Sequence, residues 1–170
     1  MKKIAIIVGS ESDLKQCLYG LKFLAEKSEN TVMICVRSQH RNTLSLQELL
    51  RDLPKYYDVA IVGAGWANHL TGCVDAFLRY ELKTMKVPII GVAFKDELNN
   101  RHTEAAILSM TEVPGTQVTY RDENGIFVGQ GGFLRACKLA MSGNLPMVKL
   151  FEQKPVQDLS LEEAIQIASK

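Results

Sequence analysis

Three short strings of small and polar residues carry side chains that bind phosphate and move protons. They span residues 9–13, 38–41 and 63–72, and the first and last of them directly follow apolar runs that read as buried strands. The middle string begins two residues beyond a third such run. In open α/β sheets the carboxyl ends of the strands border the binding crevice, so we expect the three strings to share one site.

The first string, Gly9-Ser10-Glu11-Ser12-Asp13, precedes a predicted helix. The free N–H groups of a helix N-terminus suit a phosphate, and the Asp13 carboxylate can accept hydrogen bonds from ribose hydroxyls. The alternative is that Ser10 or Ser12 only caps the helix.

The other two strings contain two of the three histidines. His40 can exchange a proton near neutral pH, and its neighbour Arg41 is a permanently charged, bidentate phosphate donor. His69 lies between Gly65 and Gly72, whose lack of side chains lets a ligand ring approach the backbone. The alternatives are a solvated loop for the His-Arg pair and a helix-capping role for His69.

Metal and nucleotide-cofactor sites have no support in the motifs. His40, His69 and His102 lack close ligand spacing, and neither G-x-G-x-x-G nor G-x-x-x-x-G-K-[ST] occurs, which disfavours NAD and ATP. We therefore expect neither a metal nor a cofactor. The cysteines show no C-x-x-C pair and are expected to be reduced thiols facing the core: Cys17, Cys35, Cys73 and Cys137.

The bulk composition is that of an ordinary globular domain. The 170 residues are 46% hydrophobic and 23% charged, with a formal net charge of +1, so overall charge favours neither nucleic acid nor membrane as a partner. The first apolar run is too short for a signal peptide, and no stretch approaches the roughly 20 apolar residues of a membrane span. We expect a cytoplasmic protein.

The periodicity predicts alternating strands and helices. Strands without polar alternation, separated by amphipathic helices, indicate an α/β fold with a three-layer, doubly wound parallel sheet. The predicted strands span residues 3–8, 31–36, 59–62 and 87–92, and the predicted helices span residues 12–27, 44–53, 67–82, 103–110 and 132–141.

The C-terminal part adds smaller elements. Segments 116–120 and 125–128 flank the turn signal Asn124-Gly125, so we expect the sheet to end in an antiparallel hairpin. After a connector containing Pro146 and Pro155, Ser160 and Glu163 form a capping-box pattern for an extra helix. We expect a domain over 1–145 and an extension over 146–170 that docks on a neighbouring subunit, the alternative being a frayed tail.

Four motifs, taken in order, resemble those of the phosphoribosylaminoimidazole carboxylase catalytic subunit family. They are Gly-Ser-x-Ser-Asp at 9–13, Ser-x-His-Arg at 38–41, Ala-Gly-x-Ala-x-His-Leu-x-Gly at 64–72 and Leu-Ser-Met-Thr-Glu-Val-Pro at 108–114. The resemblance covers residues 3–140. It implies a flavodoxin-like domain, assembled as a homo-octamer, that acts in de novo purine synthesis without metal, biotin or ATP in this step.

The family has two branches. The mutase moves a carboxyl group from the exocyclic amine of N5-carboxyaminoimidazole ribonucleotide to a ring carbon, whereas the carboxylase adds CO2 to aminoimidazole ribonucleotide. Arg41 and His69 resemble the mutase, while the string from Asn68 to Asp75 resembles the carboxylase branch. Trp66 stands where the family usually has a small residue. The mutase is favoured; direct carboxylation, a related carboxylase on another mononucleotide and a non-catalytic nucleotide-binding module are the alternatives.

The resemblance also implies a role for each motif residue. Ser10, Asp13 and Arg41 would hold the ribose phosphate, and His40 would transfer the proton. Ala64, Gly65 and His69 would surround the aminoimidazole ring and CO2. The expected catalytic residues are His40 and His69, and the expected substrate-binding residues are Gly9, Ser10, Ser12, Asp13, Ser38, Arg41, Ala64, Gly65, Asn68 and Leu70.

Overall fold

A computed structural model describes residues 1–27 and 29–170, and its centre is a four-stranded parallel sheet. The strands are β1 (Lys3–Val8), β2 (Thr31–Val36), β3 (Val59–Ala64) and β4 (Ile89–Ala93), in the order β2-β1-β3-β4. All neighbouring strands are parallel. The central strands are buried almost throughout, which is why they lack polar alternation.

Helices cover both faces of the sheet, which confirms the predicted three-layer, flavodoxin-like arrangement. One core cluster joins Ala5 and Ile7 of β1 to Leu46 and Leu50, and the other joins the alternate side chains of β1 to Cys17 and Phe133. The first face is covered by α2 (Thr43–Tyr56), α3 (His69–Ala76) and α4 (Asn100–Thr111), and the second by α1 (Leu14–Ala25) and α5 (Gly129–Ser142).

A hairpin interrupts the chain where a fifth strand would lie beside β4. Thr119 and Val128 each form a parallel bridge to β4, so the sheet does not end in an antiparallel ribbon as the sequence predicted. They are nine positions apart, whereas their partners Ile90 and Ala93 are three apart. The six extra residues are those of the hairpin, β5 (Arg121–Asp122) and β6 (Gly125–Ile126) with the intervening Glu123-Asn124.

The hairpin is a separate two-stranded unit tied to α5. Its loop residues are Glu123 and Asn124, and Gly125 follows with a φ of 100°, which favours glycine. The Arg135 guanidinium pairs with Asp122 and donates to the carbonyl oxygens of Gly125 and Ile126. Arg135 thereby holds both strands of the hairpin against the domain.

The third predicted helix is not regular over 67–82, because α3 ends at Ala76 and continues as a π-helical segment, Phe77–Glu81. This segment carries Arg79, whose Nε lies 3.1 Å from Asp75 Oδ1 in a fully buried ion pair. Arg79 also donates to the carbonyl oxygens of Thr84 and Val87, and Asp75 accepts from the Gln117 backbone N–H. These bonds fix α3 to the chain that leads into β4.

The C-terminal helix α6 (Leu161–Ala168) starts with the predicted capping box of Ser160 and Glu163. Its apolar residues Leu161, Ile165 and Ile167 are exposed, so within this chain the helix has no packing partner among the described residues. The division at residue 145 stays a prediction.

Two further expectations concern the cysteines and the membrane. All four cysteines are free: Cys17 and Cys137 are buried, and Cys35 and Cys73 are half-buried. None of the helices in the described part of the chain combines the length and apolarity that crossing a bilayer requires.

Candidate functional site

The three strings predicted to share a site line one cavity of about 490 Å³ at the carboxyl ends of β1, β2 and β3. Its wall is made by the turns that follow these strands, as expected at the edge of an open parallel sheet. The lining residues are Gly9, Ser10, Ser12, Asp13, Ser38, Gln39, His40, Arg41, Ala64, Gly65, Trp66, Ala67 and Leu70.

The turn after β1 presents two hydroxyls to the cavity. Ser10 precedes a short 3-10 turn, Glu11–Asp13, but its side chain caps nothing. Its Oγ instead accepts a hydrogen bond of 3.0 Å from Ser12 Oγ. Neither serine therefore has its hydroxyl committed to the helix backbone, which leaves both for a ligand.

Asp13 lies where the turns after β1 and β3 meet. Burial raises the pKa of its carboxyl from 3.8 to about 6, although backbone N–H groups of Ser10, Gly65 and Gly9 and the charge of Arg41 oppose that rise. The carboxyl oxygens thus lie beside Gly9 of one turn and Gly65 of the other. It can exchange a proton near neutral pH or accept a hydrogen bond from a hydroxyl.

The turn after β2 is shaped by Ser38 and aims Arg41 across the cavity. The buried Ser38 Oγ accepts from the backbone N–H groups of His40 and Arg41, at 3.3 and 3.4 Å. Arg41 Nη2 then reaches Gly9, donating to its carbonyl oxygen at 3.3 Å. The guanidinium is otherwise exposed, so it keeps donors for an anion.

His40 lines the cavity, whereas the expected catalytic residue His69 is exposed and is not among the lining residues. His69 reaches the site only through its contact with His40, which comes from a different turn. His69 Nδ1 lies 3.4 Å from His40 Nε2, with the two rings edge to face at a centroid distance of 5.6 Å. In such a contact one nitrogen donates and the other accepts, so a single proton lies between the rings. The arrangement suits a proton relay.

Asn68 is placed differently from the other expected substrate-binding residues. Its side chain is fully buried, accepts from Thr71 N–H and Thr71 Oγ1, and donates to the Val92 carbonyl oxygen at 2.9 Å. Asn68 therefore caps α3 and does not line the cavity. Because Asn68 takes this role, the His69 side chain does not cap the helix and instead contacts His40.

No role for Trp66 or His102 was predictable from the sequence, but the structure brings the two side chains together. The Trp66 ring lines the cavity and stacks on the His102 ring. His102 lies on α4, 36 positions along the chain from Trp66, and no spacing rule links the two. The only sequence signal was the chain's single tryptophan standing in a Gly-rich turn.

Comparison with known proteins agrees with this fold. A family model described as AIR carboxylase matches residues 3–121. Treponema denticola PurE is 19% identical, with a TM-score of 0.52 over 84% of this chain and 90% of that one. A substituted variant of PurE2 from the same organism is 19% identical, with a TM-score of 0.57 over 85% and 92%. These solved structures support the fold alone.

No curated protein sequence matches the chain significantly. The family model, however, spans well over half of the chain and includes all three turns that line the cavity. The chain therefore belongs to the AIR carboxylase family.

Proposed function

We propose that this chain is a 5-(carboxyamino)imidazole ribonucleotide mutase of de novo purine synthesis, which converts N5-carboxyaminoimidazole ribonucleotide to 4-carboxyaminoimidazole ribonucleotide. The observation that carries the proposal is that His40, which contacts His69, lines the same cavity as Arg41 and the hydroxyl-bearing turn. One site thus holds both anion-binding and proton-transfer groups, in a chain of the AIR carboxylase family.

Phosphate and ribose binding follow from the turns after β1 and β2. The Ser10 and Ser12 hydroxyls and the Arg41 guanidinium line the same cavity and can surround a phosphate. Asp13 then accepts from ribose hydroxyls. This assignment leaves the side next to Ala64 and Gly65 for the base, because small residues allow a ring to lie close to the backbone.

The reaction needs no covalent nucleophile, because the electron-rich aminoimidazole is itself nucleophilic at carbon. The bond between the exocyclic nitrogen and the carboxyl group breaks, the nitrogen takes up a proton, and CO2 is held in the cavity. The ring carbon then attacks CO2 and loses its own proton. His40 delivers the first proton and takes up the second, so it ends in its starting state.

The first alternative to the mutase is direct carboxylation of aminoimidazole ribonucleotide, a reaction that the same cavity can also accommodate. Its sequence support is the string from Asn68 to Asp75, but both of these polar side chains are buried and bonded within the protein. Their structural roles explain why they are present without any reference to the reaction. Of the two residues that resemble the mutase branch, Arg41 lines the cavity and His69 contacts His40, which lines it.

Two assays of the purified chain test the proposal. One supplies N5-carboxyaminoimidazole ribonucleotide, and the other supplies aminoimidazole ribonucleotide with bicarbonate. A mutase is expected to turn over the first substrate at low bicarbonate and to need high bicarbonate for the second. Equal use of both at low bicarbonate favours the carboxylase. Turnover of neither, with nucleotide binding retained, favours a binding module or another mononucleotide.

A further inference from the structure

Trp66 gives the cavity an aromatic wall. Its ring lies 4.3 Å from the His102 ring, centroid to centroid, with 24° between the planes, so the two are stacked. Trp66 is nevertheless 67% exposed and lines the cavity. His102 covers one part of the indole and leaves aromatic surface open to the cavity.

The support behind the indole is rigid. His102 Nδ1 lies 2.6 Å from Asp96 Oδ2, and His102 Nε2 lies 3.2 Å from Asn99 Nδ2. Asp96 Oδ1 in turn accepts from the backbone N–H groups of Leu98 and Asn99. The loop between β4 and α4 therefore fixes the imidazole on which Trp66 stacks. A ring held in place before binding loses little conformational freedom when a ligand arrives.

The backbone conformation at Trp66 is strained, which indicates that its side chain has a functional role. Its φ of 61° lies in the left-handed region, which is strained for a bulky residue and unstrained for glycine. A strained residue beside a ligand cavity points to a role in binding. The neighbours Gly65 and Ala67 add no side chain that would cover the ring.

We propose that Trp66 is the surface on which the heteroaromatic ring of the substrate stacks, and that His102 is its positioning residue. The inference rests on the proposed function, because it assumes a nucleotide whose phosphate lies at Arg41 and the turn after β1. It goes beyond that function because it makes Trp66 the residue through which the site binds a nucleotide more tightly than a ribose phosphate without the base.

The test compares binding of aminoimidazole ribonucleotide and ribose 5-phosphate by calorimetry. Trp66→Gly removes the ring and relieves the left-handed backbone, so it preserves folding. Stacking on an aromatic residue contributes about 1–3 kcal/mol per base, so the glycine variant is expected to bind the nucleotide at least about fivefold more weakly. Ribose 5-phosphate binding is expected to change less than twofold.

Two further variants separate stacking from general damage. Trp66→Phe keeps a ring and is expected to restore most of the nucleotide affinity. Leu98→Ala alters a fully exposed residue of the supporting loop that contributes only its backbone N–H, and is expected to leave both affinities unchanged.

Fluorescence provides a second readout, because Trp66 is the only tryptophan. The nucleotide is expected to change its emission, while ribose 5-phosphate is expected to leave it unaltered. His102→Ala is expected to lower the anisotropy of the ligand-free protein, since the indole loses its stacking partner.

Three results for Trp66→Gly overturn the stacking role and leave the proposed function standing. They are an equal loss of affinity for both ligands, no loss of affinity for the nucleotide, and tighter binding of the nucleotide. If neither ligand binds the unaltered chain, the proposed function fails and the stacking role fails with it.

Discussion

His69 Nδ1 and His40 Nε2 are 3.4 Å apart, although the two residues come from turns after different strands. In this contact one ring nitrogen donates and the other accepts, according to the tautomer of each ring. Ser38 holds the His40 turn and Asn68 caps the helix that begins at His69. Hydrogen bonds therefore hold the backbone at both turns from which the imidazoles extend.

Replacing His40 by asparagine tests proton transfer. The variant is expected to bind the ribonucleotide within a few-fold of the unaltered chain, because the turn that holds Arg41 stays intact. Turnover is expected to fall by roughly 10²-fold or more, the range for loss of a general acid or base. Steady-state kinetics combined with calorimetry measures both. Near-normal turnover would remove His40 from the chemistry.

Arg41→Ala is expected to affect binding instead, because a phosphate contact acts in the ground and transition states alike. Nucleotide affinity is expected to fall by about 1.5–3 kcal/mol, the scale for a hydrogen bond to a charged group. Arg37→Ala is the matched control, since Arg37 bonds to Ser45 on the surface and does not line the cavity. If both variants bind equally, or if removing the ligand's phosphate makes no difference, the assignment is wrong.

Asp13→Asn tests the effect of burial on the carboxyl. Its pKa is about 6 in the folded chain and 3.8 in the unfolded one, so the folded state holds a proton more tightly between these values. The free energy of unfolding therefore falls as pH rises from 4 to 7, by less than the full shift corresponds to because water screens the partly exposed carboxyl, and asparagine lacks this fall. Denaturant unfolding across this range is expected to show the variant gaining stability relative to the unaltered chain. Parallel curves would contradict the shift.

The buried ion pair of Asp75 and Arg79 is expected to matter for folding rather than for substrate. Arg79→Met leaves the Asp75 carboxylate buried without its charge partner and is expected to cost about 3–5 kcal/mol. Adding Asp75→Asn removes the uncompensated charge and is expected to recover part of that loss. Urea unfolding of the single and double variants measures both. A double variant less stable than Arg79→Met would show that the charge was not the cause.

Assembly is tested by ending the chain before Pro155, which removes α6. We expect a closed homo-oligomer, an octamer by the family resemblance, in which the exposed apolar face of α6 contacts a neighbouring subunit. The truncated chain is expected to lose both assembly and activity, and Ile165→Lys in the full chain is expected to do the same. Light scattering that shows an active monomer at micromolar concentration would refute the proposal.

The sheet was predictable because β1, β3 and β4 are buried on both faces and so lack polar alternation, although β2 is only half-buried. The same argument predicted one cavity for the turns at residues 9–13, 38–41 and 63–72, since parallel strands end at one edge. Contacts that depend on tertiary packing could not be predicted from the sequence. The stacking of Trp66 on His102 and the burial of Asn68 depend on how α3 and α4 pack, and local spacing does not contain that information.

The hairpin shows a different limit. Asn124-Gly125 indicated a reversal of the chain, and a reversal is present. The signal predicts two antiparallel strands within the main sheet. In the structure, Thr119 and Val128 both pair with β4, and the hairpin lies outside the main sheet. A local turn signal predicts that the chain reverses direction. It does not predict which strand each arm pairs with, because that depends on which edge of the sheet is unpaired.

Because of that hairpin, the pairing of the chain with the edge strand β4 does not depend on residues 121–126. The Phe127 N–H bonds to the Tyr120 carbonyl oxygen at 2.8 Å, so the chain re-enters the edge beside the point where it left. The family match also ends at Arg121, the first hairpin residue. Residues 121–126 can thus lengthen, shorten or change sequence without altering the register at β4, which makes this position a natural place for lineages to diversify and for an engineer to graft a recognition loop.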